Sequence, residues 1–145
     1  MEKFIDLLNN NWGALSPLQQ LDLTRRFYSL LVDRGFNHWI YGDPIPLVGQ
    51  YVLLGITNYS RDDMMLLDAL SDKLDETSHL RDRIGVFCAL EYLTVEDREK
   101  CLPGLSRFGN PRVGIWQDGE LINQAVDTEA RRLIIDLFGL NTLFP

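Results

Sequence analysis

Apolar residues recur with a helical period in the first part of the chain. Phe4, Leu7 and Leu8 form a short apolar stripe, and Gly13 interrupts it. The first 35 residues are predicted to be mostly helical. A second helix is predicted to begin at residues 16–19, where Ser-Pro-Leu-Gln combines a capping serine, a proline at the first helical position and the glutamine of a capping box. Its predicted buried face consists of Leu23, Phe27, Leu30 and Leu31.

The helical pattern ends at Gly35, and an aromatic-rich segment follows it. Residues 36–46 read Phe-Asn-His-Trp-Ile-Tyr-Gly-Asp-Pro-Ile-Pro. Because proline lacks a backbone N–H and restricts the residue before it, this segment is predicted to contain no regular element. Residues 1–47 are accordingly assigned to an N-terminal helical extension that ends in an aromatic and proline-containing loop.

Strands alternate with helices in the rest of the chain. Residues 51–57 are almost continuously apolar, which is typical of a central strand covered on both faces. A helix capped by Ser60 is predicted to run to Leu74. The next strand and a short helix are predicted at residues 84–90 and 94–102.

The last part of the sequence carries a β-hairpin signal followed by a helix. Residues 113–116 and 121–126 flank the Asp118-Gly119 pair, which favours a type I′ turn. A last helix is predicted over residues 128–138, with Gly139 as its C-terminal stop. This order predicts an α/β fold for residues 48–145, with a mixed four-stranded sheet and helices on both faces.

Composition narrows the class of protein. The 145 residues include 14 Lys and Arg against 21 Asp and Glu, a formal net charge of −7. They are predicted to form one compact unit. The acidic excess argues against nucleic-acid binding, which draws on clustered basic residues. No apolar run approaches the roughly 18 residues of a membrane span, and the first residues lack the pattern of a secretory signal, so a cytoplasmic protein is expected.

Cysteine and histidine residues show no metal-ligand spacing. Cys88 and Cys101 lie thirteen positions apart and near no histidine, and His38 and His79 are isolated. No cofactor or metal site is therefore predicted, and the motifs of phosphate-binding loops, zinc proteases and serine hydrolases are missing from the sequence. Cys88 lies in the strand predicted at residues 84–90, where it is expected to be a buried hydrophobe.

Two pairs of carboxylates open predicted helices. Asp62-Asp63 and Glu96-Asp97 lie where the helix dipole favours anions. Both pairs are therefore predicted to be solvated helix starts and not catalytic dyads.

Residues 110–121, Asn-Pro-Arg-Val-Gly-Ile-Trp-Gln-Asp-Gly-Glu-Leu, resemble the closing half of a thioredoxin-fold domain. In that fold a cis-proline opens a strand and a turn of the Asn/Asp-Gly-Glu kind follows seven residues later, and Pro111 and Asp118 have this spacing. The preceding elements follow the order of the family, so the resemblance covers about residues 50–140. It implies a thioredoxin-like fold in which the Asn110-Pro111 bond is cis.

The stretch that corresponds to the family's Cys-x-x-Cys motif contains no cysteine. Residues 58–64 read Asn-Tyr-Ser-Arg-Asp-Asp-Met. Disulfide exchange requires an attacking thiolate and a resolving thiol, so the chain resembles a redox-inactive member of the family. Ser60 is interpreted as a helix cap and not as a replacement nucleophile, because no base adjoins it in the sequence.

Redox-inactive members of this fold typically keep a ledge that holds extended polypeptide, and the resemblance implies such a ledge here. The predicted ledge consists of Tyr59, Ser60, Arg61, Arg107, Asn110, Pro111 and Arg112. Its arginines are expected to form a positive site for an acidic or carboxylate-bearing tail of a partner protein. Trp39 and Tyr41 either add aromatic anchors in an adjoining groove or pack beneath the helices.

The predicted function is that of a non-enzymatic protein-binding adaptor or assembly chaperone that holds an extended or C-terminal segment of its partner. The helical extension, the acidic charge and the Asn and Gln usage also resemble small cyanobacterial assembly chaperones, such as those that serve carboxysome shell proteins. One alternative is a thiol-dependent redox enzyme that uses Cys88 or Cys101. Another is a structural subunit held in a complex by its N-terminal helices, which are expected either to cap a sheet edge or to form a homodimer.

Overall fold

A computed structural model of the chain describes residues 2–40, 42–88, 96, 99 and 111–140. Three α-helices and five strands occur in these residues, together with single-turn 3-10 helices at Phe4–Leu7, Trp12–Ala14 and Ser78–Leu80. In chain order, the helices and strands are α1 (Pro17–Asp33), β1 (Asn37–His38), β2 (Gln50–Ile56), α2 (Arg61–Glu76), β3 (Ile84–Cys88), β4 (Arg112–Gln117), β5 (Glu120–Val126) and α3 (Asp127–Phe138).

The strands form one mixed sheet in the order β1-β3-β2-β4-β5. β3 runs parallel to both β1 and β2, while β4 is antiparallel to β2 and to β5. The predicted α/β class with a mixed sheet is therefore confirmed. β2 is a central strand, and every residue from Tyr51 to Ile56 is buried, as the apolar run predicts.

The prediction of four strands was wrong, because the described residues form five. The additional strand, β1, lies in the aromatic segment that was predicted to contain no regular element. It pairs with β3, and the N–H of Trp39 extends the pairing by donating to the carbonyl of Val86 at 3.1 Å. The effect of proline is local, and the first proline of the segment is Pro44, so β1 is unaffected.

Local capping signals position the helices as predicted. The Ser16 hydroxyl accepts the N–H of Gln19 at 3.2 Å, and the Gln19 side chain accepts the N–H of Ser16 at 2.9 Å. The predicted capping box at the start of α1 is thereby confirmed. The Ser60 hydroxyl accepts the N–H of Asp63 at 3.4 Å at the start of α2. α3 ends at Gly139, whose φ of 63° lies in the left-handed region.

Residues 2–15 are not the helix that their apolar stripe predicts. They form two 3-10 turns, and Asn9 makes a local turn by accepting the N–H of Asn11 at 2.8 Å. Their apolar residues are held by tertiary contacts instead. The Asp68 carboxylate accepts the N–H groups of Phe4 and Ile5 at 2.7 and 3.1 Å, which joins the first turn to α2.

The sheet has two different faces. On one face, side chains of β2, β3 and β4 pack with α1, α2, α3 and the first 3-10 turn in a single apolar core. α1 also covers the edge strand, because Tyr28 stacks on His38 with ring centroids 3.5 Å apart. The other face carries a separate cluster, to which Ile45 and Leu121 add partly buried side chains; its buried members are Trp39, Tyr51, Leu53, Phe87 and Trp116.

The described helices all contribute to the core on the first face. Within the helix predicted over residues 94–102, the described residues are Glu96 and Glu99, which are both helical and exposed, and the rest of it lies outside the described residues. Helices on both faces therefore stay a prediction. Within the part of the chain that the structure describes, no helix is long and apolar enough to cross a membrane.

The β4–β5 hairpin has the turn that the sequence predicts. Asp118 and Gly119 have φ values of 52° and 84°, so both central residues adopt the positive φ of a type I′ turn. The Asp118 carboxylate also accepts the N–H of Gly49 at 2.7 Å, which ties the turn to the residues that precede β2.

Gly85 in β3 is predicted to tolerate no side chain. Tyr51 crosses the sheet beneath it, and the Tyr51 hydroxyl accepts a hydrogen bond from Asn37 at 2.9 Å. A Cβ on residue 85 would collide with that hydroxyl and lie 3.0 Å from the Tyr51 Cζ. Gly85→Ala is therefore expected to lower the free energy of unfolding by about 1–3 kcal/mol in urea titrations.

Gly13→Ala is the matched control, because no atom lies within 4 Å of a Cβ built there. Its stability is expected to stay within about 0.5 kcal/mol of the parent protein. Equal stabilities of the two variants would show that the position of Tyr51 does not require a glycine at residue 85.

Candidate functional site

A cavity of about 360 Å³ lies at the C-terminal ends of β2 and β3, between the sheet and the start of α1. Ligands in open α/β sheets bind outside the carboxyl ends of the strands, so this is the candidate functional site. A second hollow, of about 750 Å³, is lined wholly by residues between 9 and 23 and includes no strand residue. The candidate cavity is lined by Trp12, Pro17, Gln20, Leu21, Thr24, Ile56, Thr57, Asn58, Tyr59 and Cys88.

The N-terminal segment builds one wall of this cavity, and the turn between β2 and α2 builds the other. Trp12 and Tyr59 stack across the two walls, with ring centroids 5.0 Å apart and planes inclined by 17°. The Gln20 side-chain amide fixes the position of Trp12 by donating to its carbonyl at 2.9 Å. Asn58 donates to the Thr24 hydroxyl at 3.2 Å. The site therefore exists only while the N-terminal segment is docked on the sheet.

The described lining of the cavity is made of apolar, amide, hydroxyl and thiol side chains. Among the described residues that form it there is no Asp, Glu, Lys, Arg or His. The polar groups are amides and hydroxyls, from Gln20, Thr24, Thr57 and Asn58, together with the Tyr59 phenol. Cys88 is only 4% exposed, which confirms that it is buried in a core strand. Such a lining suits an uncharged group, since a charged one would lose its hydration without gaining a counter-ion.

A buried carboxylate lies directly behind the cavity wall. Asp63 accepts the N–H of Thr57 at 2.9 Å through one oxygen, and its other oxygen lies 3.9 Å from the Arg131 guanidinium. Burial outweighs both interactions and raises the pKa of Asp63 to about 6. Asp63 is not one of the residues that line the cavity.

The prediction that Asp62 and Asp63 form a solvated helix start holds for only one of them. The Asp62 side chain is 55% exposed, whereas that of Asp63 is 1% exposed. Asp63 is buried because it turns back beneath the β2–α2 turn, where α3 covers it with Arg131. A pair of adjacent acidic residues at a helix start does not indicate which of the two faces the core.

Three residues of the predicted ledge lie together at the start of α2. Tyr59 is 37% exposed and belongs to the cavity wall, and Arg61 is exposed. The Ser60 hydroxyl caps the helix, which agrees with its interpretation as a cap and not as a nucleophile. These residues form a surface that a partner segment can reach.

The other predicted ledge residues do not join that surface in the described part of the chain. Pro111 is buried, and Arg112 is only 4% exposed on the sheet face that also carries Trp116. The expectation that Arg112 presents a surface charge was wrong, because strand alternation turns its side chain onto a covered face. Arg107 and Asn110 lie outside the described residues, and so does the predicted cis bond before Pro111.

Trp39 is a core residue and does not line an open groove. It is 5% exposed, and its ring packs on Phe87 with centroids 5.6 Å apart. This favours the interpretation that the aromatic segment packs into the core. Tyr41 and Cys101 lie outside the described residues.

Sequence reasoning missed the residues that α1 and the N-terminal turns contribute to the cavity. Gln20 and Leu21 lie beside the predicted buried stripe of α1, and Thr24 is a polar residue that is 3% exposed. The available signal was Trp12, a large aromatic residue that follows three asparagines and belongs to no apolar pattern. An isolated tryptophan in a polar stretch often makes a tertiary contact.

Comparison of the chain with protein-family models, curated proteins and solved structures found no significant match. Within the described ranges, no group of three or more His, Cys, Asp or Glu residues is placed to hold a metal ion.

Proposed function

We propose that the protein is a non-enzymatic adaptor or assembly chaperone that holds an extended segment of a partner protein at the cavity and at the exposed start of α2. The observation that carries this proposal is the neutral, aromatic-rimmed cavity. Recognition of an extended segment uses pockets for individual side chains, with main-chain groups held beside them. The exposed side chains of Tyr59 and Arg61 adjoin the cavity and offer such contacts.

A redox-inactive thioredoxin-like fold is part of this proposal. The sheet order, with two antiparallel strands following the parallel ones, is compatible with the resemblance derived from the sequence. The turn between β2 and α2, where the family carries its paired cysteines, holds Thr57, Asn58, Tyr59 and Ser60. A segment bound there meets hydrogen-bonding and aromatic groups in place of a dithiol.

Crosslinking from inside the cavity tests the proposal. A photo-crosslinking amino acid at Leu21, which lines the cavity and is 39% exposed, is expected to capture one defined protein in cells of the source organism. The same amino acid at Val32, which is 59% exposed near the other end of α1, is the matched control and should not capture that protein. Trp12→Ala should reduce capture at position 21 at least tenfold, because it removes the aromatic rim.

The same protein captured equally from positions 21 and 32 would contradict a site at the cavity. Unchanged capture in a folded Trp12→Ala protein would contradict it as well. If one protein is captured from position 21 and not from position 32, that protein can be used as the partner in direct affinity measurements.

A thiol-dependent redox enzyme is the second candidate, because Cys88 lines the cavity. Burial of a thiol in apolar surroundings generally leaves it inert, which favours the adaptor. Cys88→Ala is expected to keep partner capture if the adaptor proposal is right. Loss of capture in a folded Cys88→Ala protein, together with rapid modification of Cys88 by maleimide in the parent, would favour the enzyme.

A further inference from the structure

The size of the cavity sets what can enter it. A cavity of about 150 Å³ holds one benzene ring. The cavity at the ends of β2 and β3, of about 360 Å³, has room for a substituted or fused ring but not for a folded element. One side chain of a bound segment is therefore the natural occupant.

The arrangement of the rim favours a flat occupant. Trp12 and Tyr59 stack nearly parallel, and both residues line the cavity. An aromatic ring gains from offset or edge contacts with other rings beyond the burial of its area. Leu21, Pro17 and Ile56 add apolar surface around the same space.

The polar groups of the lining suit a ring that carries a neutral polar substituent. Thr24 is 3% exposed, and its hydroxyl accepts from Asn58 while keeping a proton to donate. The Gln20 amide is held by its bond to the Trp12 carbonyl, with its own carbonyl oxygen as a further acceptor. A phenol or indole group can pair with these groups, whereas a carboxylate or ammonium group would find no counter-charge among the described lining residues.

From these features we infer that the cavity takes one uncharged aromatic side chain, a Phe, Tyr or Trp of the partner segment, which packs against the Trp12–Tyr59 pair. The inference rests on the proposed function and makes it specific. It requires the partner segment to carry an aromatic residue at its anchoring position.

Amino-acid amides are suitable probes for this site. N-acetyl-phenylalaninamide and N-acetyl-tyrosinamide should produce saturable NMR shifts of the Trp12 indole and of the Thr57 and Tyr59 amides in the ¹⁵N-labelled full chain. N-acetyl-leucinamide should bind at least fivefold more weakly, and benzoate, which adds a charge to the ring, should also bind at least fivefold more weakly. The Trp39 and Trp116 indoles lie on the opposite sheet face and serve as internal controls.

Variants localise the binding. Trp12→Ala should lower the affinity for N-acetyl-phenylalaninamide at least tenfold, and Tyr59→Ala should do so independently. Leu18→Ala should leave its affinity unchanged, because Leu18 is 76% exposed on the same helix and does not line the cavity. Unchanged Trp39 and Trp116 signals show that each variant is folded.

Equal affinity for the leucine and phenylalanine amides overturns the inference, and so does the absence of saturable shifts at Trp12. A second test replaces every aromatic residue in the crosslinked segment of a captured partner. If the affinity does not fall, the inference is overturned and the adaptor proposal stays intact. Conversely, specific ring binding without any protein captured from position 21 contradicts the adaptor proposal and identifies the site as one for a free aromatic molecule.

Discussion

Replacing Phe4 with alanine is expected to lower the free energy of unfolding by about 3–5 kcal/mol, the usual range for removing a fully buried phenylalanine. Phe4 has no exposed surface, and it meets Phe27 and Phe36 edge-on with ring centroids 5.7 and 5.9 Å apart. Its N–H is also held by Asp68. Urea unfolding followed by circular dichroism measures the loss.

Leu18→Ala is the control for this substitution. Leu18 is 76% exposed, so its removal should change the stability by less than about 0.5 kcal/mol. Phe4→Leu should fall between the two, because it keeps part of the buried volume. A cost below about 1 kcal/mol for Phe4→Ala would mean that the N-terminal turns can leave the core without unfolding the sheet.

Asp63→Asn is expected to stabilise the protein at neutral pH and to alter how its stability depends on pH. Burial raises the pKa of Asp63 from its ordinary value of 3.8 to about 6. At about 1.4 kcal/mol for each pKa unit, ionisation of this buried carboxylate costs the folded state about 3 kcal/mol at pH 7. Asparagine keeps an oxygen to accept the Thr57 N–H and carries no charge to desolvate.

The raised pKa of Asp63 determines the direction in which the stability changes with pH. Below about pH 3 the carboxyl is protonated in the folded and the unfolded chain, and the full stability is present. As the pH rises through 3.8 towards 6 the unfolded chain ionises first, so the parent protein loses this contribution. The stability of Asp63→Asn relative to the parent should therefore increase by about 3 kcal/mol between about pH 3 and pH 7, measured by urea titrations at each pH.

Asp62→Asn is the matched control, since Asp62 lies 3.9 Å from the same Arg131 but is 55% exposed. Its stability relative to the parent should show no such increase, because water solvates that charge in the folded state. Taking differences from the parent removes the contributions of the half-buried groups Asp68 and His38, whose pKa values burial raises and lowers, respectively. A relative stability of Asp63→Asn that does not change between about pH 3 and pH 7 would show that the ion pair with Arg131 compensates for burial.

The features that the sequence predicts well are those with a local physical cause. The capping box at Ser16, the left-handed stop at Gly139 and the turn at Asp118 each depend on residues within a few positions of one another. The central position of β2 also follows from its own apolar run, because only a strand covered on both faces is apolar at every position.

The features that the sequence does not predict depend on distant partners. β1 is two residues long and exists because β3 offers it a pairing edge. Arg112 is buried on the second sheet face although it is charged, and Asp63 is buried because α3 packs over the start of α2. None of these partners can be read from the residues that surround each position.

The sequence predicts only one wall of the candidate site. The turn at Tyr59 and Ser60 was identified through the family resemblance, and it does form one wall of the cavity. The opposite wall is not predicted from the sequence, which indicates for the N-terminal helices an edge cap, a dimer contact or one side of a groove lined by residues 39–46, and not a wall that contains Trp12. Trp12 reaches the site through a contact with Tyr59, 47 positions away in the sequence, and a periodicity argument contains no information at that distance.

The bond between the Phe4 N–H and Asp68 joins residues 64 positions apart, and it decides when the site can exist. During synthesis the first turn leaves the ribosome early, but its acceptor is made only after the whole of β2 and half of α2. The cavity therefore cannot form before Asp68 and the lining residue Cys88 have both been made, and release of the first turn from Asp68 loosens the segment that carries Trp12. An occupant that bridges the two walls adds its binding free energy to this step, so its presence should slow hydrogen exchange at the Phe4 and Ile5 amides, far from the point of contact.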